Sequence, residues 1–315
     1  MKKRVSIIVS LYNEALAIPD FWNSLNNAIL QLEEVDAIEI LWVNDGSNDD
    51  TSKKINEIIT VKDDKIEHVL IEFSRNYGHE AAMIAGIDYA TGDALICMDA
   101  DLQHPPEKIS TMLSVYSSGF DVVLAHRKER EDSSLFKKAL STFFYTFLNA
   151  ISTFKFNKNA SDFFLISKRV QQILKDNYRE RNRFLRGYAQ IVGFNATHIE
   201  YNAPKRIAGK SNYSYKKLVK LSFDAVFSFS NKPLQVASYI SILFVFFTVS
   251  IGVYSFVTYF IGDKPPSGYT TLIIFTSICF SFLFIILAIL SIYFSKALDE
   301  IRERPIYIIK KLVKG

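Results

Sequence analysis

Cysteine is nearly missing from this 315-residue chain: it has two, Cys97 and Cys279. Neither suggests a disulfide or a thiolate metal site, as fits a reducing compartment. No G-x-G-x-x-G follows the first strand-like run and no G-x-x-x-x-G-K-[ST] occurs anywhere, so the dinucleotide and P-loop modes of phosphate binding are excluded. No long basic block exists and the net charge is only +4, which argues against nucleic acid and suits an anionic membrane surface. The N-terminus has a short apolar stretch with no small-residue cleavage site, so it does not read as a signal peptide. There is no internal repeat and no low-complexity segment.

Charge is also missing from two long runs, Pro233 to Gly262 and Pro265 to Ser295, within a chain that is 49% hydrophobic with 26 Phe. A membrane-spanning helix needs about 20 apolar residues, and each run exceeds that. With a polar connection containing Asp263, Lys264, Pro265 and Pro266, they read as a transmembrane hairpin, residues 235–261 and 269–294. The segment after it carries Lys296, Arg302, Arg304, Lys310, Lys311 and Lys314, the connection only Lys264. Basic residues stay inside, so the catalytic part and both termini are expected on the cytoplasmic side. The expected domains are 1–230, with its juxtamembrane helices, the hairpin within 231–295, and a basic tail, 296–315.

Ahead of the hairpin, five apolar, β-branched runs alternate with helix-like stretches: Val5–Leu11, Ile38–Val43, Ile66–Phe73, Ala94–Met98 and Asp121–Ala125. That alternation predicts an α/β fold with a doubly wound, mostly parallel sheet. Every run ends in residues able to bind a ligand: Tyr12 to Glu14, Asp45, Ser74 to Asn76, Asp99 with Asp101, and Arg127. Open parallel sheets bind ligands beyond the carboxyl ends of their strands.

The most telling of these ends is Asp99-Ala100-Asp101. In extended chain, side chains two residues apart share a side, roughly 6–7 Å apart, and two carboxylates that close repel unless a cation joins them. Oxygen-only ligands suit a hard divalent ion with positions left for substrate phosphates. Downstream, Ser133 to Phe156 is an aromatic-rich helical pattern that packs on the sheet or lies at a membrane interface. Ser161 to Ser167 reads as a strand with Asp162 at the crevice. Arg179, Arg181, Arg183 and Arg186 form either a solvated face or a headgroup contact. Pro204 to Ser211 is a basic loop in which Arg206 offers a forked phosphate contact, and Tyr213 to Phe229 is amphipathic.

Tyr12-Asn13-Glu14, Asn44-Asp45-Gly46-Ser47, Ser74-Arg75-Asn76-Tyr77-Gly78, Asp99-Ala100-Asp101-Leu102-Gln103 and Arg206-Ile207-Ala208-Gly209, in this order and with two C-terminal spans, resemble the polyprenyl-phosphate glycosyltransferases of family 2, of GT-A fold. Within them the chain is most similar to the bactoprenol glucosyltransferase branch, related to dolichol-phosphate mannose synthase. The resemblance implies inverting transfer of a hexose, glucose in this branch, from a UDP-sugar to undecaprenyl phosphate at the cytoplasmic face of a bacterial inner membrane, for cell-envelope glycan modification. It implies Mg2+ or Mn2+ as cofactor and a homo-tetramer. It assigns Ser10, Tyr12, Glu14 and Asp45 to the uridine pocket, with Ala100 also against the nucleotide sugar. Asp99, Asp101 and Gln103 would hold metal and diphosphate; Arg127, Lys137 and Ser141 the acceptor phosphate; Asp101, Asp162 and Arg206 would serve the reacting centre. The chain departs from the family at Ser10, where proline is usual, at Lys137 and Lys296, where arginine is, and at Ser291-Ile292-Tyr293, which lacks the usual Gly-Glu-Tyr. A processive polysaccharide synthase of the same superfamily would carry a Gln-x-x-Arg-Trp motif and more spans, both missing here. A non-catalytic, membrane-anchored binding protein is the other alternative.

Overall fold

The computed structural model describes residues 4–61, 63–128, 160–181, 185–202, 232–261 and 268–314, with the isolated positions 146 and 204. The chain divides into two compact units, one bounded at Met1–Tyr145, Phe156–Ser214 and Pro305–Gly315, the other at Thr146–Lys155 and Tyr215–Arg304.

The first unit is built on eight strands, β1 (Arg4–Leu11), β2 (Ala37–Asn44), β3 (Ile66–Phe73), β4 (Ala94–Asp99), β5 (Val122–Arg127), β6 (Ala160–Ser167), β7 (Ala196–Tyr201) and β8 (Ile309–Lys314). They lie in the order β7-β5-β6-β4-β1-β2-β3-β8. β1 pairs in parallel with β2 and β4, β2 with β3, and β5 with β7. β6 is antiparallel to both β4 and β5, and β8 antiparallel to β3. The sheet is therefore mostly parallel, as expected, with two reversed strands. Central strands buried on both faces read as continuous apolar runs; β1 and β2 are buried over seven of eight residues each.

Helices α1 (Ile18–Leu30), α2 (Thr51–Ile59) and α4 (Lys108–Ser117) cover one face. α1 buries Ile18, Phe21, Leu25 and Ile29 at helical spacing against Val9, Ile40 and Trp42, and Phe21 meets Trp42 edge-on at 6.2 Å. Helices α3 (His79–Tyr89), α5 (Lys168–Asn177) and α6 (Leu185–Ile191) cover the other. α3 is made of small residues for a reason visible at Gly86: a Cβ there would sit 2.1 Å from a methyl of Ile8. The helix thus lies almost directly on β1.

The C-terminal segment departs from expectation. Read as a separate basic tail, it returns to the first unit, where β8 extends the sheet beyond β3. Ser74 donates its backbone N–H to the Ile308 carbonyl, and Tyr307 stacks on Phe73 at 5.1 Å. Lys310, Lys311 and Lys314 are exposed, and lysines on an edge strand discourage pairing with another chain.

The second unit contains α7 (Lys232–Ile261) and α8 (Tyr269–Ile301), both long and apolar enough to cross a membrane. Their large apolar side chains are exposed, Phe246 at 73% and Phe284 at 66%. Phe244 and Phe282 meet at 4.3 Å between the two helices.

Candidate active site

The carboxyl ends of β1 to β5 gather on one edge of the sheet, and because β6 runs backwards its beginning, with Asp162, arrives at the same edge. That reversal brings Asp162 to Asp99 from a part of the chain 63 residues further on.

The loop after β1 carries Tyr12 and Glu14 and is pinned by the loop after β2. Asn13, at φ 55, donates its N–H to Ser47 Oγ at 2.9 Å and accepts from Asn48 N at 2.9 Å. Glu14 N donates to Thr51 Oγ1 at 3.0 Å and Ala15 N to Asp49 Oδ2 at 3.2 Å. Tyr12 is left 43% exposed at the crevice. The loop after β2 is braced in turn by the loop after β3. Gly46 has φ +66, and a Cβ there would fall 2.4 Å from the Arg75 carbonyl carbon, so only glycine fits.

Asp45 is buried, and both its oxygens accept backbone N–H groups, Tyr77 at 2.6 Å and Gly78 at 2.8 Å. Burial raises its pKa above the ordinary aspartate value, and the two backbone hydrogen bonds pull it back in part. Its first job is therefore to shape the 74–78 turn and to place the start of α3.

Asp99 Oδ1 accepts the Ser10 hydroxyl at 2.9 Å. The Asp99 N–H is donated to His104 Nδ1 at 2.9 Å, which leaves the imidazole proton of neutral His104 on Nε2. His104 is buried, stacked on Phe163 at 5.3 Å and met edge-on by Tyr201 at 6.3 Å. Burial holds its pKa below the usual histidine value, against the opposing pull of Asp99, so it stays neutral near pH 7. Asp101 is buried and accepts the Gln103 N–H at 3.0 Å, with Leu102 between them at φ 59. Such a left-handed leucine is strained, and strain of this kind gathers at functional sites. Ala100 is buried in the core, so it can offer a ligand only its backbone.

Gln103 Oε1 accepts from an Arg127 guanidinium nitrogen at 3.4 Å, joining the Asp-x-Asp turn to the residue expected at the acceptor phosphate. Asp162 is 28% exposed and stands 3.8 Å from His79 Nε2. The structure thus brings Ser10, Asp99 and Asp162 around one histidine, and Asp101, Gln103 and Arg127 alongside in the same turn and strand end. Lys137, Ser141 and Arg206 lie outside the described residues, as do the Ser133–Phe156 segment apart from position 146, the Tyr213–Phe229 segment and the Arg183 and Arg186 side chains. Arg179 pairs with Asp88 at 2.7 Å.

His79 and His104 were not among the expected site residues. His104 had a signal in its place directly after Asp-Leu-Gln; His79 had none, because its relevance depends on which strands are neighbours.

Among the described residues no three His, Cys, Asp or Glu side chains form a ready-made metal cage. The oxygen donors Asp99 and Asp101 still fit a hard cation of the Mg2+ type, which is held by one or two carboxylates and fills its remaining positions with water and substrate phosphate. A cavity of about 660 Å3 lies elsewhere, at the opposite end of the sheet, lined by Arg4, Leu32, Asp93 and Tyr116 among others. The chemistry of the strand ends, rather than cavity volume, marks the candidate site.

A fold of this kind, with an acidic crevice beyond the strand ends, defines a class, and comparison with known proteins identifies it. The model of the family described as glycosyl transferase family 2 matches residues 6–174, and the chain belongs to that family. Among its relatives, an uncharacterized glycosyltransferase of Bacillus subtilis (strain 168) is 36% identical, covering 97% of this chain and 93% of that protein. The bactoprenol glucosyl transferase of Shigella phage SfII is 34% identical, covering 99% of each, and a prophage bactoprenol glucosyl transferase homolog of Escherichia coli (strain K12) is 34% identical over 99% of this chain and all of that one. Among solved structures, glucosyl-3-phosphoglycerate synthase from Mycobacterium tuberculosis, in complex with Mn2+ and UDP-glucose, covers 71% of this chain and 77% of that one at 15% identity and a TM-score of 0.45, too loose a likeness for its ligands to be carried over.

Proposed function

We propose that this chain transfers glucose from UDP-glucose to undecaprenyl phosphate, with inversion at the anomeric carbon, at the cytoplasmic face of a bacterial inner membrane. The observation that carries the reading is its likeness, from end to end, to proteins named bactoprenol glucosyl transferases, at 34% identity, combined with an acidic crevice at the end of a family 2 sheet. The two apolar helices support a membrane setting, and the basic residues that follow them support cytoplasmic termini.

Asp99 and Asp101 would hold Mg2+ or Mn2+, with the Gln103 carbonyl, which also accepts from Arg127, as a third oxygen donor. When bound, the cation supplies Lewis-acid stabilisation of the departing diphosphate. Ser10 orients Asp99, and neutral His104 fixes the turn behind it. Tyr12, Glu14 and the Asp45-held loop line the space for the uridine. Arg127, with Lys137, Ser141 and Arg206, offsets repulsion between the two anionic substrates. The acceptor phosphate, with a second pKa of about 6, is already largely ionised near neutral pH and needs no strong base. Asp162 therefore orients the reactants and stabilises positive charge developing at the sugar. One direct displacement inverts the anomeric centre.

The test is UDP release by the full chain in lipid, with UDP-glucose offered beside other UDP-hexoses, with and without undecaprenyl phosphate. The reading expects release that requires the lipid phosphate and is fastest with UDP-glucose. Release independent of the lipid phosphate, or none from any UDP-hexose, would reject it.

A further inference from the structure

Tyr307 follows the apolar hairpin in the chain and belongs to the first unit. Its side chain touches both ends of the stretch from Phe73 to Asp88. The ring stacks on Phe73, the last residue of β3, at 5.1 Å and 8° between planes, and Phe73 meets Tyr77 edge-on at 5.8 Å. The hydroxyl donates to Asp88 Oδ2, on α3, at 2.7 Å. Beside it, the Ile308 carbonyl accepts the Ser74 N–H at 2.9 Å. Asp88 is 9% exposed and also pairs with Arg179, so the hydroxyl meets a carboxylate already held in place. Between the two anchors runs the 74–78 loop. Asp45 binds its Tyr77 and Gly78 N–H groups, and its Arg75 backbone lies against Gly46. The pairing of β8 with β3 ends at Phe73 and Ile309, so Tyr307 lies beyond the ladder, where the loop begins.

We propose that Tyr307 is a positioning residue for the nucleotide donor. It holds the 74–78 loop, and through that loop Asp45 and Gly46, in the arrangement that receives the uridine. The segment after the hairpin thus completes the nucleotide side of the site. Stacked rings and a hydrogen bond to a carboxylate fix the two ends of one short stretch. Without the ring, only a fraction of molecules keeps the loop in place, and the apparent Kd rises by the inverse of that fraction. Asp101 follows β4 and Asp162 lies in β6, so the chemical step at saturating donor is left to other strands. The proposal rests on the transferase reading and deepens it.

The experiment measures the Kd of UDP with Mn2+ by calorimetry, kcat and KM for UDP-glucose, and Tm. It uses the full chain in lipid as wild type, Tyr307→Leu, Tyr307→Phe and Val313→Ala. Val313 pairs with Leu70 at the far part of the same ladder and packs on the core, so its truncation loosens β8 away from the loop. Tyr307→Leu is expected to raise Kd and KM about tenfold, with kcat within about twofold. Tyr307→Phe keeps the ring and loses only the hydroxyl, and is expected to raise them about threefold. Val313→Ala is expected to lower Tm with Kd within about twofold. An unchanged Kd in both Tyr307 variants, or in Tyr307→Phe alone where Tyr307→Leu does not fold, would overturn the proposal. So would a Kd that rises in Val313→Ala as far as in Tyr307→Leu, or a kcat that falls as far as Kd rises, the marks of a merely structural role. Those results in an active wild type overturn the proposal alone; a wild type that neither binds UDP nor turns over UDP-glucose overturns the transferase reading, and the proposal with it.

Discussion

Both ends of the sheet hold carboxylates, and Glu39 at one end and the Asp99–Asp162 pair at the other are treated in opposite ways. At the amino ends of the strands, Glu39 is 2% exposed and saturated: it accepts from the Ser6 hydroxyl at 2.5 Å, the Thr91 N–H at 2.8 Å and hydroxyl at 2.9 Å, and Arg4 at 3.5 Å. Arg4 in turn bonds Glu67 at 2.5 Å. At the carboxyl ends, Asp99 and Asp162 face a shared histidine with about a third of each side chain open, 30% and 28%. A buried carboxylate satisfied on every side spares the fold the penalty of an unpaired buried charge. Acids aimed at one another across an open crevice cost stability, and are retained where a ligand supplies the missing positive charge. The first end is architecture and the second is chemistry.

This contrast is broken most sharply by Asp101→Ala. Loss of a carboxylate that would hold the diphosphate's cation should lower kcat at least about 1,000-fold, with Tm little changed; the check is UDP release beside thermal melting. Next is Glu39→Ala at the opposite end. Removing this buried carboxylate leaves the Ser6 hydroxyl and the Thr91 N–H and hydroxyl without their acceptor and should cost about 3 kcal/mol of stability, read by denaturant unfolding of the full chain, with donor Kd unchanged. A Glu39 variant that folds normally but cannot bind donor would erase the distinction between the ends.

Asp162→Asn should sharpen it further. The amide keeps the shape but not the charge, so kcat should fall about 30-fold. The pH–rate profile should show no inflection removed near neutrality, because the acceptor phosphate needs no base; loss of such an inflection would make Asp162 the base.

The smallest effect concerns His68, beside the closed end. Its Nδ1 accepts from Trp42 Nε1 at 3.1 Å, and burial lowers its pKa from 6.5 to about 4. The unfolded chain takes up this proton first, so the contribution of neutral His68 is complete above pH 6.5 and is lost as pH falls towards 4. Between pH 7 and 5 the loss is about 2 kcal/mol. His68→Gln should flatten that part of the pH–stability curve, measured by urea unfolding.

Most of the crevice was legible along the chain because each strand and its polar end are contiguous. Val5–Leu11 with Tyr12, and Ala94–Met98 with Asp99 and Asp101, carry strand and function in one short word. What escaped depends on partners distant in sequence. The reversal of β6 between β4 and β5 has no local mark, yet it brings Asp162 to the site. His79 meets Ser10, Asp99 and Asp162 only because β1, β4 and β6 are neighbours. The C-terminal strand was obscured by its lysines, which suggest a membrane-facing tail as readily as a charged sheet edge. A β-branched run after Pro305, Ile306 to Val313, was the signal for it.

The central claim is that a divalent cation and a uridine diphosphate sugar share the crevice beyond β1, β2 and β4. Its most direct test is calorimetric titration of UDP into the full chain, with Mn2+ and with chelator, beside Asp101→Ala and Glu39→Gln. The account predicts binding that requires Mn2+, is abolished in Asp101→Ala and is retained in Glu39→Gln. UDP binding that survives both the chelator and the loss of Asp101 would contradict it.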